Sequence, residues 1–221
     1  MVSAVKAARF RTHNTNHPRA LPAPLAPLTA SATLISMASP SLYRPEFEAA
    51  LRLFARASEA MHARGFERPV LVGGAAVELY SGSAITTGDF DLATGRQEAF
   101  EEELLRVGFI RPVGLGSFSR GLVHPDLKLG FEVVASAPFS GAFDRTTLAL
   151  VEDFGDAAPF VVLSIEDLIA DRMGQYASGT ARDRLDQARV LFALHPDLDR
   201  AYLNRRIREE TCGDHGIEDL S

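Results

Sequence analysis

The stretch that decides the fold is Leu71-Val72-Gly73-Gly74-Ala75-Ala76-Val77-Glu78-Leu79-Tyr80, and Thr86-Thr87-Gly88-Asp89-Phe90-Asp91-Leu92 follows it closely. An apolar strand runs into a Gly-Gly turn and a short helix, and a second strand then carries two acids. Residues two apart on a strand project to the same face, so Asp89 and Asp91 are predicted to point together, with Phe90 in the opposite layer. Two neighbouring carboxylates repel each other unless a cation lies between them. Mg²⁺ suits such a pair because it takes oxygen ligands and commonly bridges carboxylates to substrate phosphates. The pattern therefore predicts metal-dependent phosphate chemistry.

A third carboxylate on a neighbouring strand would complete such a site. Glu132, in Gly130-Phe131-Glu132-Val133-Val134, is the best candidate because a lone acid in an apolar strand is costly without a partner. Asp126, in the preceding His-Pro-Asp turn, is the second choice. The prediction is that Asp89, Asp91 and Glu132 converge.

The Gly73-Gly74 turn predicts an anion site. Glycine has no Cβ, so the backbone can approach a triphosphate closely, and the amides at the start of the next helix favour negative charge. A Gly-Gly pair after a strand is usually only a tight turn, and Asp-x-Asp near a strand start is usually solvated. The functional interpretation depends on the order and close spacing of the two motifs, with a further acid in a later strand.

The remaining pattern predicts an α+β fold, with a small mixed sheet flanked by helices and a helical C-terminal region. Apolar residues recur at helical spacing from Pro45 to Arg64, where Gly65 ends the helix. Ser164-Ile165-Glu166-Asp167 resembles a capping box that opens a helix through about Tyr176. Further helices are predicted over 182–194 and 196–210, and strands over 119–123 and 128–135. The predicted divisions are a core over 45–160, a helical region over 161–211 and a tail over 212–221.

The first 44 residues differ from the rest. They contain no acidic residue, while basic residues and prolines recur, so this segment cannot bury enough apolar surface to fold alone. We predict that it is disordered. Three origins stay open: an organellar transit peptide, an extension upstream of a true start at Met37, or a flexible tail.

Composition bounds the remaining classes. The chain has 221 residues, of which 46% are hydrophobic and 24% charged, enough for one good core. A net charge of −6 argues against a surface that coats nucleic acid generally, although a local basic patch could still hold RNA or a nucleotide. The single cysteine, Cys212, excludes a disulfide framework within the chain and a zinc site built from cysteines. No apolar run approaches the length of a membrane span, so a cytoplasmic protein is expected.

The strand, the Gly-Gly turn, the short helix and the Thr-x-Asp-hydrophobic-Asp sequence together resemble the signature of the DNA polymerase β-like nucleotidyltransferase superfamily. The similarity is to its small bacterial members of the AbiEii toxin-like and minimal nucleotidyltransferase type. It covers about 70–134, and the helical tail is similar in a looser way. In many members the second glycine is a serine whose hydroxyl touches phosphate. Here that residue is Gly74, which matches the toxin-like branch.

The resemblance implies transfer of a nucleoside monophosphate from an NTP to an acceptor hydroxyl, with two Mg²⁺ ions. By this resemblance Gly73 and Gly74 contact the triphosphate, and Asp89, Asp91 and Glu132 are the catalytic, metal-holding acids. Arg172 takes the place of a lysine that neutralises the outgoing pyrophosphate in toxin-like relatives. The alternative for Arg172 is an ordinary surface charge on a helix.

Two functions from different classes follow. The first is an active nucleotidyltransferase that modifies RNA, a protein or a small molecule, as one component of a toxin–antitoxin pair with a cognate partner protein. The second is a catalytically inactive relative that keeps the fold as a binding or antitoxin-like partner. Retention of all three acids favours the first.

Overall fold

The structure is a computed structural model that describes residues 9–12, 41–112, 121–136 and 147–221, with the backbone alone for residues 9–12. Strands and helices alternate in the first half of the chain, strands follow up to residue 162, and the remainder is helical. In chain order the elements are β1 Arg9–Thr12, α1 Pro45–Ala63, β2 Val70–Val72, α2 Gly73–Ser81, β3 Asp89–Ala93, α3 Gln97–Arg106, β4 Leu122–His124, β5 Leu129–Ala135, β6 Ala149–Asp153, β7 Phe160–Val162, α4 Ile165–Ala177, α5 Arg184–Leu194, α6 Arg200–Glu210 and a short 3₁₀ helix Ile217–Leu220.

The described strands form one sheet in the order β1-β6-β7-β2-β3-β5-β4. β2 runs parallel to β7 and β3 runs parallel to β5, whereas the other neighbours are antiparallel. The sheet is therefore mixed, and helices flank it. This confirms the predicted α+β class.

One face of the sheet carries the aromatic core. Phe90 and Phe131, from neighbouring strands, stack with ring centroids 4.4 Å apart and planes 5° apart. Phe47 of α1 lies 5.3 Å from Phe90, and all three rings are almost completely buried. Burying a side chain of this size contributes on the order of 1.5–3 kcal/mol. The α1 helix thus covers the face of the sheet opposite to the one on which the acids are predicted.

The C-terminal helices are tied together by a buried ion pair. The Ser164 hydroxyl caps α4 by accepting a hydrogen bond from the Asp167 amide at 3.1 Å, as the capping box predicts. The Asp167 carboxylate, fully buried, then accepts the Arg206 Nε of α6 at 2.7 Å. Removing one member of a buried pair leaves an uncompensated charge, so this pair fixes α6 against α4.

Several elements differ from the sequence predictions. Strands β6 and β7 were not predicted, and outside the named strands Ile110 joins the sheet through a single bridge to Val123. The helix predicted over 182–194 is α5, which buries only Ala188 and Leu191 and leaves Val190 and Leu194 39% and 51% exposed.

The N-terminal segment contributes β1, which pairs with β6 at one edge of the sheet. Residues 1–8 and 13–40 of that segment, and the start of the predicted strand 119–123, lie outside the described residues. In the described part of the chain, no helix has both the length and the apolar character that crossing a bilayer requires.

Candidate functional site

The three predicted acids lie on one face of the sheet. In the parallel pair β3 and β5, Asp91 is aligned with Glu132 and Asp89 with Gly130. Side chains at paired positions of neighbouring strands project to the same side, and those two residues apart do so as well. The stack of Phe90 on Phe131 occupies the other side, which supports the assignment independently. Asp89, Asp91 and Glu132 therefore share the face that α1 leaves free.

The acids are electrostatically coupled. Asp89 is exposed, whereas Asp91 and Glu132 are half-buried. Burial raises the pKa of Asp91, and the negative charges of Asp89 and Glu132 raise it further. The Gly74 amide, which donates a hydrogen bond to Asp91, and the positive charge of Arg172 lower that pKa. The Asp91 carboxylate is thus the point at which the other groups of the site meet.

The acids fit Mg²⁺ by their chemistry. They supply only carboxylate oxygens, which hard cations prefer, and they do so from adjacent positions on neighbouring strands. In the described residues, no three His, Cys, Asp or Glu side chains are already grouped as metal ligands. The metal-holding role of Asp89, Asp91 and Glu132 stays a prediction from the sequence.

The glycine turn is shaped by the acid strand behind it. Gly73 has a φ of 62°, and a Cβ there would lie 2.1 Å from the Asp91 Oδ2 atom. A Cβ on Gly74 would lie 2.5 Å from the Thr87 Oγ1 atom. Only glycine allows the start of α2 to pack this closely on β3. The predicted contact of Gly73 and Gly74 with a triphosphate is untested, and the amide of Gly74 is bonded to Asp91 here.

A buried acid of α2 holds the loop that leads into β3. The Glu78 carboxylate, fully buried, accepts the Thr87 amide at 2.7 Å and the Ser83 hydroxyl at 2.9 Å. It also accepts Arg44 Nε at 2.7 Å and Arg44 Nη2 at 3.1 Å. Arg44 Nη2 also donates a hydrogen bond to the Thr87 carbonyl oxygen. Thr87 is thereby fixed two residues before Asp89.

Sequence reasoning missed this role of Glu78, although the signal was present. An acid in the otherwise apolar run Ala75-Ala76-Val77-Glu78-Leu79-Tyr80 needs a partner if the helix is buried. The partner, Arg44, is 34 residues away in sequence and could not be identified from the pattern.

Arg172 is buried, at 3% exposure, so the alternative of a surface charge is wrong. Its Nη2 atom pairs with the Asp171 Oδ2 atom at 2.9 Å, and its buried Nε atom has no hydrogen-bond partner among the described residues. Burial lowers the pKa of Arg172, whereas the charges of Asp171 and Asp91 raise it. Arg172 therefore carries a buried positive charge that interacts with Asp91 and Asp171, and its contact with pyrophosphate stays a prediction.

A fourth carboxylate, which the sequence did not indicate, lies close to the site. Gln175 donates to the Asp171 Oδ2 atom at 3.0 Å, and Arg184 Nε donates to the Gln175 Oε1 atom at 3.1 Å. Asp171 and Gln175 line a cavity of about 160 Å³ together with Gly73 of the glycine turn. Burial raises the pKa of Asp171. The second-choice acid, Asp126, lies exposed in the turn between β4 and β5.

Comparison with known proteins bears on the fold. No family model and no curated protein matches the sequence. A crystal structure of an antigenic nucleotidyltransferase-like protein from Paracoccidioides brasiliensis matches with a TM-score of 0.50 and 16% sequence identity, over 78% of this chain and 90% of that chain. Identity at this level is evidence about the fold alone. The chain therefore has a nucleotidyltransferase-like fold.

Proposed function

We propose that this protein is a nucleotidyltransferase that moves a nucleoside monophosphate from an NTP to an acceptor hydroxyl. The observation that carries the proposal is the alignment of Asp91 with Glu132, which brings both onto the face of Asp89. The contact of Gly73 with Asp91 and the buried charge of Arg172 support it, because the glycine turn and a positive charge both lie next to this acid. The nucleotidyltransferase-like fold agrees with it.

In the proposed reaction, the acceptor oxygen forms a bond to the α-phosphorus of the NTP. The bond from that phosphorus to the oxygen bridging to the β-phosphate breaks, and pyrophosphate leaves. Glu132 takes the proton of the acceptor hydroxyl, and Arg172 stabilises the negative charge that builds up on pyrophosphate. Asp89 and Asp91 would hold Mg²⁺, which supplies charge neutralisation at the phosphates when bound.

The chain's own residues do two further things. Glu78 positions the loop before Asp89 through its bond to the Thr87 amide, so the acid is presented from a fixed backbone. Asp171 pairs with Arg172 at 2.9 Å and so restrains its guanidinium. Placing catalytic groups before the substrate arrives lowers the barrier because less reorganisation is needed.

The test is incubation with each α-labelled NTP, Mg²⁺ and three acceptor pools: bulk RNA, the protein itself and a small-molecule extract. We expect label to enter one pool, and we expect the Asp89→Asn/Asp91→Asn variant and the Glu132→Gln variant to lose incorporation. Asp126→Asn is the matched control, because it removes an exposed acid of the same chain. No acid-dependent incorporation, and no metal-dependent NTP binding, would support the predicted alternative of a catalytically inactive partner protein.

The narrower predictions come from the sequence resemblance. If the protein is an AbiEii toxin-like enzyme, its expression should arrest the growth of the host cells, and co-expression of its cognate partner protein should restore growth. Loss of growth arrest in the Asp89→Asn/Asp91→Asn variant is the result expected for a toxin that acts by nucleotidyl transfer.

A further inference from the structure

A larger cavity, of about 620 Å³, opens on the same face of the sheet as the acids. Its floor contains Val70, Ala93 and Val161, which are aligned across β2, β3 and β7. Ala93 lies two residues after Asp91 on β3, and residues with that spacing share a face. Two strand residues span about 7 Å. One edge of the cavity therefore lies close enough to Asp91 for a single small molecule to reach both.

The larger cavity is linked to the glycine turn through the smaller one. Ala93 lines both cavities, and the smaller cavity continues to Gly73 and Asp171. The two cavities therefore lie on either side of Ala93, next to Asp91 on β3. A second substrate in the larger cavity would thus lie beside the proposed triphosphate site.

Two arginines stand out in the otherwise largely apolar and small-residue lining of the larger cavity. Arg68 bonds Glu59 through Nη2 at 2.6 Å, but its buried Nη1 atom has no hydrogen-bond partner among the described residues. The exposed guanidinium of Arg96 lies 5.6 Å from the centroid of the Phe66 ring. Both arginines line the cavity, and Glu67 is its one acid among the described residues.

An unbonded, buried guanidinium nitrogen is costly, and a small rotation of the Arg68 side chain toward the cavity, where a ligand oxygen satisfies that nitrogen, recovers the cost. Guanidinium groups bind phosphate oxygens through paired, charge-assisted hydrogen bonds. The volume lies within the range of about 300–1,000 Å³ that is usual for small-molecule sites. The lining therefore favours an organic phosphate over a neutral ligand.

Resting on the proposed function, we propose that this cavity is the acceptor site and that it takes a phosphate-bearing acceptor, whose phosphate Arg68 and Arg96 bind. Its hydroxyl then lies toward Asp91, where its oxygen bonds the α-phosphorus, pyrophosphate departs, and the hydroxyl proton passes to Glu132. The acceptor is a free sugar phosphate or nucleotide, or the 5′-phosphorylated end of an RNA. These sources share the phosphate chemistry.

The binding test uses ribose 5-phosphate as the probe and ribose as the uncharged comparison, by calorimetry without NTP or metal. We expect Arg96→Gln and Arg68→Gln each to weaken ribose 5-phosphate binding about tenfold or more, the effect of losing a charge-assisted bond. Arg56→Gln, an exposed arginine of α1 outside the cavity, is the matched control and should bind like the wild type. Equal binding of ribose and ribose 5-phosphate, or unchanged binding by Arg96→Gln, overturns the proposal. Arg96 is exposed, so its variant decides the matter even if Arg68→Gln does not fold.

The outcome is distinguishable from failure of the proposed function. The Asp89→Asn/Asp91→Asn variant should keep ribose 5-phosphate binding while it loses transfer, and binding without transfer in the wild type would refute the reaction but keep the phosphate site. In the transfer assay, Arg96→Gln should raise the KM for the acceptor with kcat and the KM for NTP unchanged; a fall in kcat alone overturns the acceptor role. If a 5′-phosphorylated RNA competes with ribose 5-phosphate for binding and its unphosphorylated form does not, the acceptor is an RNA end. If neither RNA competes, the acceptor is a small molecule.

Discussion

Among groups outside the acid cluster, the Glu78 carboxylate is the one whose removal should disturb the site most. It is fully buried and accepts four hydrogen bonds: two from Arg44, one from Ser83 and one from the Thr87 amide. In Glu78→Gln the amide oxygen can still accept, but the new NH₂ group faces donors. Two charge-assisted bonds are lost, each worth about 1.5–3 kcal/mol. Because Arg44 keeps a side-chain exposure of 28%, we take the lower end, a loss of about 3 kcal/mol.

For a chain of 221 residues, each kcal/mol shifts the melting temperature by about 2–4 °C, so Glu78→Gln should melt about 6–12 °C below the wild type. Thermal unfolding by circular dichroism measures this. The matched control is Glu218→Gln, whose carboxylate is 63% exposed and pairs with Arg208 on the surface. A surface pair contributes about 0–1 kcal/mol, so this control should melt within a few degrees of the wild type.

Nucleotidyl transfer, measured well below the melting temperature of Glu78→Gln, supplies the second readout. We expect kcat to fall because Thr87 is no longer held before Asp89, while NTP binding changes less. A melting temperature within 2 °C of the wild type would refute the account of a buried, fully bonded carboxylate. A large drop in stability with normal kcat would show that Glu78 holds the fold but does not position Asp89.

Three further perturbations test separate parts of the structure. Gly73→Ala should lower the free energy of unfolding, measured by chemical denaturation, by about 2–3 kcal/mol, because φ is positive there and the added Cβ would overlap Asp91. Gly88→Ala is the matched control: its Cβ would meet nothing within 4 Å, so it should be nearly neutral. Burial would raise the pKa of Glu103, but hydrogen bonds from two arginines lower it overall, so its stabilisation is present at neutral pH and lost in acid. The melting temperatures of the wild type and Glu103→Gln should therefore differ at pH 7 and converge as the pH falls through the lowered pKa of Glu103. Arg172→Gln should weaken NTP binding in a fluorescence titration, and the exposed Arg182→Gln should not.

The sequence predicted the parts of the site that depend on local pattern. The two-residue period of Asp89 and Asp91 requires a shared face on any strand, and the lone acid in the apolar strand around Glu132 pointed to the same face. The register that aligns Asp91 with Glu132 agrees with both. Capping at Ser164 was predicted for a similar reason, since its bond to the Asp167 amide is made within one turn of helix.

What the sequence did not predict depends on contacts between distant segments. The three residues of β7 are too few to show a period, and they form a strand because β2 and β6 pair with them on either side. The burial of Arg172 follows from the packing of the last helices around α4, which helical periodicity does not specify. Arg44 lies before the first helix, and nothing in its neighbourhood indicates that Glu78 is its partner.

The charge balance of the site leads to a last prediction. Asp89, Asp91, Glu132 and Asp171 bring four acids to a region where Arg172 is the buried cation. A triphosphate adds further negative charge, so a cation should be required for tight binding. We expect the wild type to bind ATP poorly in EDTA and much more tightly with Mg²⁺. Asp89→Asn/Asp91→Asn should reverse this pattern: two negative charges are gone, so ATP binds more tightly in EDTA than to the wild type, and Mg²⁺ adds little. Calorimetry of both proteins with and without Mg²⁺ measures the difference. Equal affinity of the wild type in EDTA and in Mg²⁺ would show that the acids do not face the phosphates.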